Sequence, residues 1–191
     1  MKKYLIKMSR HNLKKTFRDL GIVKINKFFN NKKIKIIKKN ILVLKNDIKD
    51  RSIMRYSESS ILDKNKQILI RIENFYLYSD FFNSLIKSKK LMKILNDLTD
   101  SNWSLFKEKI NFKPKGCRAD KLHQDIQSGW KKYAKNFISI LISVDSSEFN
   151  NGCLEFDISG NNINGLKGSL FTPLKVKDLK KPKFLKFPLK S

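Results

Sequence analysis

The sequence predicts an α+β fold that is mainly β in its second half. Two observations carry this. Apolar residues recur at three- and four-residue spacings in the first half, at Leu13, Phe17 and Leu20 and again through residues 80–98. Later, through 138–144 and 153–158, large apolar residues hold every second position. The first spacing lines one face of a helix and the second lines one face of a strand. Helices first and antiparallel strands afterwards favour a β-sandwich or barrel. With 191 residues the chain suffices for one core, and 14 Phe within 40% hydrophobic residues exclude a wholly disordered chain.

Taken in order, the opening helix stops at Gly21, and 22–25 (Ile-Val-Lys-Ile) reads as a short strand. Residues 32–39 interleave Ile34, Ile36 and Ile37 with lysines. They read either as an edge strand with lysines facing water or as a basic surface helix. Residues 57–66 are polar and read as a loop, and 68–72 alternate as a strand with one buried face. Phe81, Leu85, Leu91, Ile94, Leu95 and Leu98 form one amphipathic helical stripe, with Ser79 or Asp80 as its N-cap. Leu105-Phe106 and 110–112 read as short strands before the turn Lys113-Pro114-Lys115-Gly116. The alternating segments 138–144 and 153–158 flank Asn150-Asn151-Gly152 and read as an antiparallel hairpin. The lysine-rich tail after Gly160, with Pro173, Pro182 and Pro188, carries little secondary-structure signal.

The net charge of +25 points to an anionic partner, nucleic acid or membrane. Codon composition offers a competing cause, because the excess is nearly all lysine and accompanies abundant Ile and Asn, all encoded by AT-rich codons. Arginine, the better reader of phosphates and bases, is scarce. The charge is uneven: residues 1–50 hold 16 Lys+Arg against 3 Asp+Glu. No run approaches the roughly 18–20 apolar residues of a membrane-spanning helix. Cys117 and Cys153 are too few for a disulfide framework and read as free thiols. A soluble cytoplasmic protein is the expectation.

Of two histidines, His11 sits among lysines and reads as a surface residue. His123 opens His123-Gln124-Asp125. On a strand, residues two apart project to one face, so an imidazole and a carboxylate would point into one space. They would then be two of the three ligands of a 2-His-1-carboxylate triad, which holds non-haem Fe(II) with positions left open. A hydrogen-bonded His–Asp pair of purely structural use is the plainer alternative.

The surroundings extend this reading. Residues 105–114 (Leu-Phe-Lys-Glu-Lys-Ile-Asn-Phe-Lys-Pro) precede His123-Gln124-Asp125, and Gln127, Gly129-Trp130, Tyr133-Ala134, Phe137-Ile138-Ser139, Val144-Asp145 and Asn151-Gly152-Cys153-Leu154-Glu155-Phe156 follow. In order and spacing this stretch, residues 105–160, resembles the phytanoyl-CoA dioxygenase family. The resemblance implies a double-stranded β-helix (a jelly roll, cupin-like) with N-terminal helices. It also implies a dioxygenase that uses Fe(II) and the co-substrate 2-oxoglutarate, with O2, to hydroxylate a small organic or lipid-derived substrate. By resemblance His123 and Asp125 are the catalytic iron ligands. Gln124 would contact 2-oxoglutarate, which requires a local twist because a regular strand turns it to the opposite face. Lys113 would pair with a carboxylate of 2-oxoglutarate or substrate. Trp130 and Tyr133 either wall the pocket or pack in the core.

Two departures from the family pattern matter. After Leu154-Glu155 the family continues with Pro-Gly-Ser-His or Gly-His-His, whereas this chain reads Ile158-Ser159-Gly160-Asn161-Asn162. The family's distal histidine and 2-oxoglutarate-gripping arginine follow a Gly-Asp step for which 184–191 resembles the lead-in, and no histidine follows His123. The expectation is therefore one incomplete domain over 1–191, a fragment or degenerate relative lacking its last strands, with a basic segment 1–60 and a helix plus jelly-roll core at 61–191. The alternative is a basic nucleic-acid-binding protein on a degenerate jelly-roll scaffold. A zinc site of Cys117, His123 and Cys153 has spacings that match no compact zinc module.

Overall fold

The computed structural model describes residues 10–47, 52–159 and 172–190, and of Arg10 and His11 the backbone alone. The 160–162 departure and the His11 side chain lie outside the described residues. Among them are helices α1 (Arg10–Leu20), α2 (Asn31–Asn46), α3 (Asp80–Ile86) and α4 (Lys89–Thr99). The strands are β1 (Met54–Ser59), β2 (Gln67–Glu73), β3 (Lys109–Asn111), β4 (Leu154–Asp157) and β5 (Phe184–Phe187). The chain divides into two compact units, Asn31–Ala119 and Met1–Asn30 with Asp120–Ser191.

In the unit Asn31–Ala119 the lysine-rich segment is helical. Ile37 and Leu44, two turns apart on α2, are both buried, which settles the strand-or-helix alternative. β1, β2 and β3 form an antiparallel sheet in that order. The expected strand at 68–72 is β2, with Ile68 and Ile72 buried. The expected loop at 57–66 is in part strand, because Ser57, Glu58 and Ser59 pair with Leu69, Ile68 and Gln67 after a register shift at Tyr56/Ser57. A solvent-facing edge strand tolerates such polar residues, and the ladder to β2 overrides their turn preference. The single helix expected over 80–98 is broken. Ser79 caps α3 by accepting from the Phe82 N–H, and Ser88 caps α4 by accepting from the Leu91 N–H, so a second helix starts where one was expected to continue. Phe82, Leu85, Leu91 and Leu95 are buried with Phe75 and Ile72, and the Phe75 and Phe82 rings meet edge-on at 4.9 Å. Each such side chain contributes about 1.5–3 kcal/mol.

In the other unit α1 ends as expected: Gly21 adopts φ 71° and its N–H donates to Phe17 O. The hairpin expected between 138–144 and 153–158 does not form. Residues 138–144 carry no ladder, and β4 pairs instead with β5 from the lysine- and proline-rich tail. Alternation marks an extended, two-faced segment but names no partner. Exposure along β5 does alternate, with Leu185 and Phe187 the more covered, and Phe187 packs edge-on against Phe156 at 5.3 Å. Segments 22–25 and 105–106 likewise lack ladder partners and are not strands. The architecture is thus mixed, helices with small antiparallel sheets, and no closed barrel forms among the described residues. No helix among them is long and apolar enough to cross a membrane.

Candidate functional site

His123 and Asp125 do not lie on a strand. Residues 121–124 join no ladder, and a 3₁₀ helix, Asp125–Ser128, begins at the carboxylate. Gln124 sits at its N-cap in extended conformation, and the Gln124 N–H donates to Gln127 Oε1 at 2.9 Å. Gly129 closes the turn at φ 83°, a left-handed conformation that a residue with a Cβ adopts at a cost. The backbone N–H of Leu174 donates to Leu122 O at 2.8 Å, pinning the approach. Turn geometry, not strand alternation, brings residues 123 and 125 together.

The pair is oriented from behind on both sides. His123 Nδ1 lies 2.6 Å from the Lys121 carbonyl oxygen. A carbonyl only accepts, so Nδ1 carries the hydrogen and Nε2 is left with its lone pair. Nε2 faces Asp125 Oδ1 at 3.7 Å, and the other oxygen, Oδ2, accepts from the Ser139 hydroxyl at 2.8 Å. Two electron-rich atoms therefore face one another at a site that is half open, with side-chain exposures of 52% for His123 and 36% for Asp125. Such an arrangement attracts a cation. The Asp125 side chain, reinforced by the Lys121 carbonyl and the field of Asp120, raises the His123 pKa above its ordinary value against the opposing effect of burial.

The two donors are close enough to share one divalent ion. Nitrogen and oxygen ligands sit about 2.0–2.2 Å from a transition metal, so two donors can share one ion when they are less than about 4.2 Å apart. A ligating histidine that donates its other N–H to a carbonyl, and a ligating carboxylate that is itself hydrogen-bonded, are the usual outer contacts of metal sites. The described residues supply two donors here, and among them no group of three His, Cys, Asp or Glu is gathered. Cys117 and Cys153 are free thiols.

Lys113 belongs to the unit Asn31–Ala119, where it lies in the field of Glu58. Trp130 packs on Phe137 with ring centroids 5.3 Å apart, and Tyr133 is 74% exposed. Ser139 and the Lys121 carbonyl were not singled out from sequence. Ser139 enters the sequence reading only within the Phe137-Ile138-Ser139 segment and as a position in an alternating run, with no role of its own, and a backbone carbonyl leaves no mark in a sequence at all.

Comparison with known proteins gives this geometry a setting. The chain is similar to dioxygenases. It is 35% identical over 101 residues to a 2-aminoethylphosphonate dioxygenase of uncultured bacterium HF130_AEPn_1, covering 53% of this chain and 38% of that protein. It is 27% identical over 143 residues to a probable alpha-ketoglutarate-dependent hypophosphite dioxygenase of Stutzerimonas stutzeri, covering 71% and 48%. It is 31% identical over 91 residues to the dioxygenase lolE1 of Epichloe uncinata, covering 48% and 35%. The chain spans less than half the length of each of these curated relatives. No family model and no solved structure matches it.

Proposed function

We propose that this protein is a non-haem Fe(II)- and 2-oxoglutarate-dependent dioxygenase of the phytanoyl-CoA dioxygenase type, on a double-stranded β-helix scaffold, acting on a small organic or lipid-derived substrate. The observation that carries the reading is the convergence of His123 Nε2 and Asp125 Oδ1 at 3.7 Å, each fixed by an outer partner. The dioxygenase relatives, one of them named as alpha-ketoglutarate-dependent, support the same chemistry. Bound Fe(II) would supply the coupling of O2 to two oxidations, of 2-oxoglutarate to succinate and CO2 and of a substrate C–H or equivalent bond to its hydroxyl.

This chain's own residues would act as follows. His123 presents Nε2, and Lys121 holds the ring so that the other nitrogen keeps its proton. Asp125 presents Oδ1 and is steadied through Oδ2. In this reading Gln124 contacts 2-oxoglutarate. Two relatives have names that specify small phosphorus compounds, so 2-aminoethylphosphonate and hypophosphite head the substrate panel.

The test joins a binding and a turnover readout. Anaerobic titration should show one Fe(II) or Co(II) per chain, lost in His123→Ala and in Asp125→Ala. Any succinate formed from 2-oxoglutarate should require Fe(II), O2 and both residues. Metal binding that is equal in both variants and in the parent would defeat the proposal.

A further inference from the structure

Helix α2 carries a surface to which the proposed function assigns no role. Its buried side, marked by Ile37 and Leu44, faces the core of its unit. The opposite side presents Lys32, Lys35, Ile36, Lys39, Leu42 and Val43, all exposed and recurring at three- and four-residue spacings. Three of these are aliphatic, with exposures of 39% for Ile36, 49% for Leu42 and 57% for Val43. The helix holds six lysines and no acidic residue, unlike α4, where Lys93 pairs with Asp97 at 3.2 Å. Lys32, Lys35, Ile36 and Lys39 also frame a shallow surface depression whose lining is apolar, formed by lysine stems and the isoleucine.

We propose that this face of α2 docks on the surface of an anionic lipid bilayer. A solvated lysine face explains the charge but not the aliphatic side chains left in water among the lysines. A bilayer surface uses both: ammonium groups meet anionic headgroups while lysine stems, Ile36, Leu42 and Val43 enter the acyl boundary. A nucleic acid would use only the charge. The exposed face has no arginine to grip phosphate bidentately and no aromatic ring on which a base could stack. At 16 residues the helix is long enough to lie in the interface and too short and too charged to span the membrane.

The full chain tests this by sedimentation with vesicles of phosphatidylcholine alone or mixed with phosphatidylserine, at about 0.15 M salt. Binding should require phosphatidylserine. The triple variant Lys32→Gln, Lys35→Gln, Lys39→Gln should bind on the order of 100-fold more weakly, about fivefold per lysine. The triple variant Ile36→Ser, Leu42→Ser, Val43→Ser should lose several-fold with every charge in place. All six positions are exposed, so circular dichroism of both variants should match the parent. Leu42→Trp should also be quenched by brominated acyl chains, a readout independent of the serine variant's folding. Equal binding to neutral and anionic vesicles would overturn the proposal. So would full retention by the serine variant, or preference for single-stranded DNA over phosphatidylserine vesicles at the same salt.

Discussion

The Ser139 hydroxyl donates to Asp125 Oδ2 at 2.8 Å while Oδ1 of the same carboxylate faces His123. The two residues are 14 apart in sequence. This contact fixes which oxygen faces His123, so in the proposed metal site Ser139 would be a positioning residue. Ser139→Ala should lower divalent-metal affinity about 10- to 100-fold, the usual cost of removing an outer partner. Thermal unfolding of the metal-free chain should change little, because Ser139 is exposed. The measurement is calorimetric titration with Co(II) under exclusion of oxygen. Unaltered affinity would show that Asp125 needs no such support.

Asp125 also governs how His123 titrates in the metal-free chain. Its carboxylate is the main cause of a pKa raised above 6.5. A raised folded-state value stabilises the protein below the unfolded pKa, and that contribution is lost as pH rises through the folded one. Because His123 is half exposed, the effect on stability is small, and the titration itself is the better observable. In Asp125→Asn the imidazole proton resonances should titrate at lower pH than in the parent. Identical midpoints would mean the two side chains are not coupled.

What the sequence revealed and what it hid divide along a physical line. Periodicity located β2 and the apolar stripe of α3 and α4, because burial there follows directly from the spacing of Ile68, Ile72, Leu85, Leu91 and Leu95. It could not choose partners. The segment 138–144 alternates as clearly as β4, yet β4 pairs with Phe184–Phe187. The break at Ser88 was hidden for a related reason: a capping serine inside an apolar stripe looks like one polar residue on the outer face. His123 and Asp125 were legible as a pair, but through the wrong geometry. Two residues apart is also the reach across the start of a 3₁₀ turn, and no spacing rule separates that from a strand.

A second titration concerns the unit Asn31–Ala119. Glu58 accepts from the Arg118 backbone N–H at 3.0 Å and from Arg118 Nε at 2.8 Å. The backbone hydrogen bond, then the guanidinium, holds its pKa below 4.5 against a desolvation effect that would raise it. A lowered folded-state value contributes stability above the unfolded pKa, and the contribution disappears as pH falls through the folded one. Glu58→Gln should therefore flatten the acid limb of stability below pH 4.5. Urea unfolding followed by circular dichroism from about pH 3 to 6 measures this. A variant as acid-sensitive as the parent would assign that limb to other carboxylates.

The turn after Pro114 gives the sharpest steric test. Gly116 has φ 91°, and a Cβ built there would lie 2.2 Å from Ser60 Oγ. Ser60 is buried at 4% exposure and its Oγ accepts from the Leu62 N–H, so it has little freedom to move away. The Gly116 carbonyl meanwhile accepts from the Ile61 N–H at 2.8 Å, which ties the two loops together at the same point. Gly116→Ala should therefore cost about 1–2 kcal/mol for the left-handed backbone and a similar amount again for the clash. Gly152 supplies the control: its φ is 89°, but nothing lies within 4 Å of the added Cβ. Gly152→Ala should show the backbone cost alone. Adding Ser60→Ala to Gly116→Ala removes the 2.2 Å contact and leaves the nearest remaining Ser60 atom at 3.4 Å, so the double variant should recover part of the loss. Equal losses for Gly116→Ala and Gly152→Ala would show that the Ser60 hydroxyl turns aside freely and that the two loops are not locked at this contact.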